Sequence, residues 1–123
     1  MRRPPWSVIV VSALLILAGL AGLLFHLSDF KNTPPVSYDL VVVSVVRLMA
    51  VVIGIFMLTG HNWARWLARA WITFHVIVSA FHPIGELAAH LAVFGIFAAA
   101  LFHRAASRYF SATKEPAPSG RPQ

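Results

Sequence analysis

Four long apolar runs occupy most of the chain and predict four membrane-spanning helices. The runs cover residues 7–27, 38–59, 63–81 and 84–102. Each approaches or exceeds the roughly 20 residues that a helix rising about 1.5 Å per residue needs to cross a hydrocarbon layer of about 30 Å. The runs lack the strict polar–apolar alternation of barrel strands, and a helix satisfies its own backbone groups in lipid. Helices are therefore the expected form of all four spans.

The connections between the runs are short, so successive helices are expected to be antiparallel neighbours. Residues 28–37 include the pair Pro34 and Pro35, and the third and fourth runs are separated by little more than His82 and Pro83. The sequence thus predicts an all-α, up-down, four-helix integral membrane bundle over residues 1–110. From residue 111 the composition changes to Thr, Pro, Ser, Gly and Lys, which predicts a disordered tail over residues 111–123.

Composition supports a membrane protein independently of the runs. The chain has 123 residues, of which 59% are hydrophobic and 11% are charged. A soluble domain of this size has too much surface for its volume to hide so many apolar side chains from water. Cysteine is absent, which excludes disulfides, thiolate metal ligands and cysteine nucleophiles.

The distribution of positive charge predicts that both termini are cytoplasmic. Eight of the ten Lys and Arg residues fall on one side of the predicted membrane, only Lys31 falls on the other, and Arg47 lies inside the second run. The positive-inside rule places the richer side in the cytoplasm. The net charge of +6 then reflects topology and attraction to anionic lipid, and it does not indicate nucleic-acid binding. The eight residues are Arg2, Arg3, Arg65, Arg69, Arg104, Arg108, Lys114 and Arg121.

Aromatic residues near the same side are expected to anchor the helices at the membrane interface. Trp6, Trp63, Trp66 and Tyr109 have this position in the sequence, and amphipathic rings favour the headgroup region. The first run follows two arginines, as a secretory signal would. Its apolar core is longer than the 7–15 residues usual for a signal, so it is expected to be a retained span.

Pairs of small residues four positions apart predict close helix packing. Small side chains let helix backbones approach each other in lipid. We expect these pairs to pack within the bundle; the alternative is a face that binds a second copy or another membrane protein. The pairs are Ala18 with Gly22, Ala50 with Gly54, Ala88 with Ala92, and Gly95 with Ala99.

Polar side chains inside the spans collect in the half of the membrane opposite the arginine-rich side, here called the outer half. At 1.5 Å per residue, Arg47 lies about 13 Å below the outer boundary, and His75 and His90 each lie about 9 Å below it. Ser79 falls on the same helix face as His75. The sequence therefore predicts a polar pocket in the outer half of the bundle. Its members are His26, Arg47, His75, Ser79, His82, Glu86 and His90.

Two interpretations of this pocket remain open. Arg47 costs about 2.5–3.5 kcal/mol at a helix centre on insertion scales, so we expect it to reach Asp29, Asp39 or Glu86, with an anion site as the alternative. The histidines are expected to form hydrogen bonds across helices, to Ser79, Ser44 or Glu86. Their alternative is a transition-metal or haem site built from His26, His75, His90 and Glu86. The chain contains no HxxxH or HExxH motif, and no cofactor is predicted as resident.

Three segments resemble a broad group of small, uncharacterised bacterial four-span membrane proteins. They are the N-W-A-R-x-L entry to the third run at residues 62–67, the stretch 74–82, and the basic, aromatic stretch 101–110. The resemblance covers about the last half of the chain. It implies a bacterial inner-membrane location and four spans, and it implies no activity.

Two functions from different classes follow from these observations. The sequence favours a non-enzymatic membrane protein, either an accessory or structural subunit or a small stand-alone bundle, because no catalytic constellation is present. Its expected partners are lipid and a membrane protein or second copy bound through the Gly and Ala faces. The alternative is a haem- or metal-binding redox protein that uses the histidines of the outer half.

Overall fold

The computed structural model describes residues 3–32 and 37–112, and this part of the chain is helical apart from short connections. It contains five helices and no strand: α1 Trp6–Asn32, α2 Tyr38–Leu58, α3 Asn62–Ser79, α4 Ile84–Phe102 and α5 Arg104–Ala112. The all-α prediction is confirmed, and the first four helices overlap the predicted runs. However, α1 continues five residues beyond the predicted end at residue 27, into the segment expected to be a turn. Pro34, Pro35 and residues 113–123 of the predicted tail lie outside the described residues.

Three of the described helices are long and apolar enough to cross a membrane, which is consistent with a membrane protein. They are α1, α2 and α4. The third predicted run, α3, has 18 residues but also carries Arg65, Arg69 and His75, so its mean hydropathy is lower. Length and composition thus support three of the four expected spans.

The backbones of α1 and α2 are in direct contact, as the small-residue pattern predicts for Ala50 and Gly54. A Cβ atom on Gly54 would lie 2.8 Å from the Ser12 carbonyl oxygen and 2.7 Å from Ile16 Cγ1. On Gly19 it would lie 2.7 Å from the Arg47 carbonyl oxygen. Only glycine fits at these crossing points, and the contact makes α1 and α2 one tightly packed unit.

A glycine turn connects α2 to α3. Gly60 has a φ of 81°, in the left-handed region that glycine enters without steric cost. Its N–H donates to the Met57 carbonyl, and the His61 N–H donates to the Phe56 carbonyl at 3.1 Å. These bonds use carbonyl groups left over at the end of the helix and reverse the chain.

The arginine-rich end of the bundle is closed by α5, a helix that the sequence did not predict. The chain is extended at His103, and α5 then packs the fully buried side chains of Ala106 and Phe110 against the other helices. It ends at Ala112, two residues into the segment predicted to be disordered. The large side chains of the core come from all five helices: Val8, Val11, Leu15, Ile53, Met57, Ile72, Phe97, Leu101 and Phe110.

Candidate functional site

Hydrogen bonds divide the predicted outer pocket into two groups of side chains. The first, here called the histidine cluster, consists of His75, Ser79 and His90 and joins α3 to α4. The second contains His26, which lies 3.0 Å from the Asp29 carboxylate on its own helix. The sequence predicted His26, His75, Ser79 and His90 as members of one pocket, whereas Asp29 was expected only as a partner of Arg47.

Ser79 is the centre of the histidine cluster and is 1% exposed. Its Oγ lies 2.7 Å from the His75 carbonyl oxygen and 2.7 Å from His90 Nδ1. His90 Nδ1 also lies 2.9 Å from the Glu86 carbonyl oxygen. A carbonyl only accepts, so the Ser79 hydroxyl donates to His75 while His90 Nδ1–H donates to both Ser79 Oγ and the Glu86 carbonyl. All three bonds are satisfied by one assignment of protons.

A hydrogen bond to a backbone carbonyl likewise determines the tautomer of His75. Its Nδ1 lies 2.9 Å from the Trp71 carbonyl oxygen and must donate to it. Neutral His75 and His90 therefore both carry their proton on Nδ1 and present an unprotonated Nε2. The two ring centroids are 5.9 Å apart with an interplanar angle of 28°. This arrangement can accept hydrogen bonds at two neighbouring nitrogens.

Trp71 extends the histidine cluster to α2, and the sequence analysis did not identify it. Its ring centroid lies 3.9 Å from that of His75, and its Nε1–H donates to the Val46 carbonyl at 3.2 Å. The signal was present in the sequence, because Trp71 precedes His75 by four residues and so shares its helix face. Through this bond the cluster connects α2, α3 and α4.

Arg47 packs against α1 and forms no ion pair with any carboxylate of residues 3–32 and 37–112. A Cβ atom on Gly22 would lie 2.7 Å from both Cδ and Nε of Arg47, so this side chain occupies the space that glycine leaves free. The expected pairing with Asp29, Asp39 or Glu86 is therefore wrong for this structure.

His82 and Glu86 lie at the exposed turn between α3 and α4, outside the histidine cluster. His82 Nδ1 donates to the Val78 carbonyl on its own helix at 3.0 Å, and Glu86 contributes only its backbone carbonyl to His90. Ser44 bonds the Leu40 carbonyl of its own helix, so it is not the partner that the sequence analysis proposed for a histidine. The predicted partners of the histidines were Ser79, Ser44 and Glu86. Of these three side chains, only Ser79 bonds a histidine on another helix, His90.

The second group lines an open cleft of about 310 Å³ between the outer ends of α1 and α2. Its polar wall mixes an imidazole, two carboxylates and a hydroxyl, whereas Leu40 and Val43 form the apolar floor. The cleft is open to the surroundings and separate from the hydrogen bonds of the histidine cluster. Its polar residues are His26, Asp29, Ser37 and Asp39.

The described residues contain no group of three or more His, Asp or Glu side chains that could hold a metal ion. The predicted ligand set of His26, His75, His90 and Glu86 is not brought together as one site. His75 and His90 are the two members that lie side by side.

Three of the four predicted interface anchors are accessible, and the fourth has another role. Trp6, Trp63 and Trp66 are exposed, as an interfacial ring requires. Tyr109 is 8% exposed, and its hydroxyl donates to the Leu58 carbonyl at 2.6 Å. Burial raises the pKa of the Tyr109 phenol above its ordinary value. Tyr109 therefore attaches α5 to the end of α2 instead of anchoring the chain in lipid.

Comparison with known proteins gives no match: no protein-family model, no curated protein and no solved structure is similar to this chain.

Proposed function

We propose that this protein is a non-enzymatic, four-span protein of the bacterial inner membrane that acts as an accessory subunit of a larger membrane complex. Both termini lie in the cytoplasm in this proposal. This role requires that the chain crosses the membrane four times with both ends in the cytoplasm. It also requires that an exposed surface of α4 binds a partner.

The charge distribution and the position of α3 support four spans. Arg65 and Arg69 lie in the first half of α3, on the side of the molecule where the other positive charges collect, so their long side chains can reach the interface. The half beyond Trp71 is apolar apart from the histidine cluster and Thr73, whose hydroxyl donates to the Arg69 carbonyl of the same helix. If α3 crosses the membrane, the turns before and after it lie on opposite sides.

Single cysteines introduced into this cysteine-free chain test the topology. We expect His82→Cys to react with a membrane-impermeant maleimide in cells with a permeabilised outer membrane and an intact inner one, and His61→Cys to react only after lysis. Ser111→Cys on α5 is the cytoplasmic control. Labelling of positions 61 and 82 from the same side would contradict a crossing by α3.

The observation that carries the accessory role is the contrast between two kinds of small-residue face. Atoms of α1 occupy the space beside Gly54 of α2, whereas a Cβ atom on Gly95 of α4 would meet nothing within 4 Å. Only 11% of the most apolar stretch of α4 is buried, against 28% in α1 and 22% in α2. Small residues on an uncovered face favour close approach of another helix. This face, called the α4 face below, consists of Ala88, Ala92, Gly95 and Ala99, all exposed.

Filling the α4 face tests this role. We expect the full chain, extracted in a mild detergent, to migrate as part of a larger complex, and Ala92→Leu to release it as a single chain. Ala13→Leu makes the same change on the exposed side of α1 and is expected to leave the complex intact. A wild-type protein that migrates as a single chain would indicate a stand-alone bundle and contradict the proposal.

A haem- or metal-binding redox role is the alternative, and one observation favours it. His75 and His90 each direct Nδ1–H to an oxygen of the chain, so both have Nε2 available as a ligand atom. A visible spectrum and metal analysis of the gently purified protein test it. A stoichiometric cofactor that is lost in His75→Ala and His90→Ala would support this alternative; a protein free of both would exclude it.

A further inference from the structure

The side of α3 that faces away from the bundle is an exposed, shallow surface, called the groove below. All its lining residues come from α3 at spacings of three or four, so they form one helix face. The opposite face of α3 holds the fully buried Ala64 and Ala68, which pack into the core. The lining residues are Trp66, Arg69, Ala70, Thr73, Phe74 and Ile77.

Two arginines surround one pair of aromatic rings at the arginine-rich end of this groove. The guanidinium carbon of Arg69 lies 5.8 Å from the centre of the Trp66 ring and 5.5 Å from that of Phe102. That of Arg65 lies 5.7 Å and 4.9 Å from the same two rings. Cation–π contacts of this kind hold the two positive charges close together.

The described part of the chain supplies no countercharge for these arginines. Neither Arg65 nor Arg69 forms an ion pair there, and the partner of Arg65 Nη1 is the neutral hydroxyl of Ser107 at 3.4 Å. The described carboxylates, Asp29, Asp39 and Glu86, lie at the opposite, outer end. Two neighbouring cations without a counter-ion favour an anion from outside the chain.

Beyond Arg69 the groove becomes apolar. The Thr73 hydroxyl donates to the Arg69 carbonyl at 2.8 Å, so its hydrogen is used within the helix. Phe74 and Ile77 are 50% and 57% exposed. From Arg69 to Ile77 the helix rises about 12 Å, which is close to the depth of one leaflet of the hydrocarbon core. The groove thus combines a cationic end with an apolar length suited to an acyl chain.

We propose that this groove binds one anionic phospholipid, with its phosphate at Arg69 and an acyl chain along Ala70, Phe74 and Ile77. Guanidinium groups bind phosphate through paired, charge-assisted hydrogen bonds. A zwitterionic headgroup would bring its own cation next to two arginines, so net negative lipid is preferred. The inference requires the chain to be embedded in a membrane but is independent of the accessory role.

Lipid retention measured by native mass spectrometry tests the site. The full chain is purified from a detergent mixture containing equal amounts of phosphatidylglycerol and phosphatidylcholine. We expect one retained phosphatidylglycerol, preferred by roughly tenfold, because its phosphate gains charge-assisted bonds without added repulsion. Equal retention of the two lipids by the wild-type protein would mean non-specific surrounding lipid and would overturn the proposal.

Three variants distinguish lipid binding at the groove from attraction of lipid by the overall positive charge. Arg69→Gln is expected to abolish the preference, and Ala70→Trp is expected to displace the lipid while keeping both arginines. Arg108→Gln removes the same charge from an exposed position on α5 and is expected to retain the lipid. Equal losses in Arg69→Gln and Arg108→Gln, or full retention in Ala70→Trp, would contradict the site. Thermal melting confirms that each variant is folded.

Discussion

Ser79 Oγ and His90 Nδ1 lie 2.7 Å apart, and this hydrogen bond joins the end of α3 to the second turn of α4. It crosses between helices and involves a serine that is 1% exposed. The same hydroxyl donates to the His75 carbonyl, so one buried serine is held by the backbone of α3 and orients the His90 imidazole. The bond predicts an energetic coupling between the two helices.

A double-mutant cycle of Ser79→Ala and His90→Ala measures this coupling. We expect the two substitutions to be non-additive by about 0.5–1.5 kcal/mol, the net value of a typical intramolecular hydrogen bond. The measurement is the free energy of unfolding in detergent. Ser44→Ala, whose hydroxyl bonds only its own helix, is the control and is expected to add independently to His90→Ala. Additivity of Ser79→Ala with His90→Ala would show that the hydrogen bond contributes nothing.

Gly54→Ala is expected to destabilise the bundle by about 1–3 kcal/mol, because the added methyl group overpacks the contact between α1 and α2. The nearest atoms are the Ser12 carbonyl oxygen at 2.8 Å and Ile16 Cγ1 at 2.7 Å, and the former is backbone that cannot rotate away. Gly95→Ala is the matched control, since its methyl group would meet nothing within 4 Å. The melting temperature in detergent should be lower than wild type for Gly54→Ala and not for Gly95→Ala. Equal melting temperatures would contradict the close contact.

Tyr109→Phe is expected to cost about 1 kcal/mol, because it removes the hydrogen bond to the Leu58 carbonyl and keeps the ring. Amide hydrogen exchange should become faster in α5 and remain unchanged in the centre of α2. Tyr38→Phe changes an exposed phenol and is the control. Unaltered exchange in α5 would show that the bond does not hold this helix.

The raised pKa of Tyr109 also predicts a pH dependence of stability. The phenol ionises more easily in the unfolded chain, so its contribution is complete below the ordinary tyrosine value of about 10 and decreases as the pH rises through the folded pKa. We expect the stability difference between wild type and Tyr109→Phe to shrink above that pH. A difference that grows with alkalinity would have the wrong sign and would contradict burial of the neutral phenol.

Arg47→Leu is expected to lower the melting temperature of the bundle, because the arginine side chain fills the space over Gly22 between α1 and α2. Arg47→Met keeps an unbranched chain of similar reach and should retain most of this packing, to within about 1.5 kcal/mol. Comparison of the two variants separates packing from charge. Unchanged melting in both would indicate a side chain that only extends toward the membrane surface.

The first four helices could be predicted from the sequence because each coincides with a long apolar run, and three of them are long and apolar enough to cross a lipid layer. The same holds for the close contact at Gly54, where small residues recur at helical spacing. The neighbouring positions of His75 and His90 followed from the short turn between α3 and α4. In each case a local pattern determined the result.

Contacts between residues far apart in sequence could not be predicted in this way. Tyr109 was expected to anchor the chain at the membrane interface because its surroundings in the sequence are basic and aromatic. Only the return of α5 brings its hydroxyl to the Leu58 carbonyl. Arg47 was expected to find a carboxylate, yet it packs on Gly22. His26 was predicted in the same outer half as His75 and His90, but a position along the helix does not specify the direction of a side chain around the helix axis.

A photoreactive crosslinker at the α4 face tests the accessory role most directly. The probe is attached to Ala92→Cys in the otherwise cysteine-free chain and is activated in intact membranes, with Ala13→Cys on α1 as the control. We predict one discrete protein adduct of constant mass at position 92 and none at position 13. Lipid adducts alone at both positions, or the same protein adducts at both, would contradict the proposal that α4 carries a specific partner.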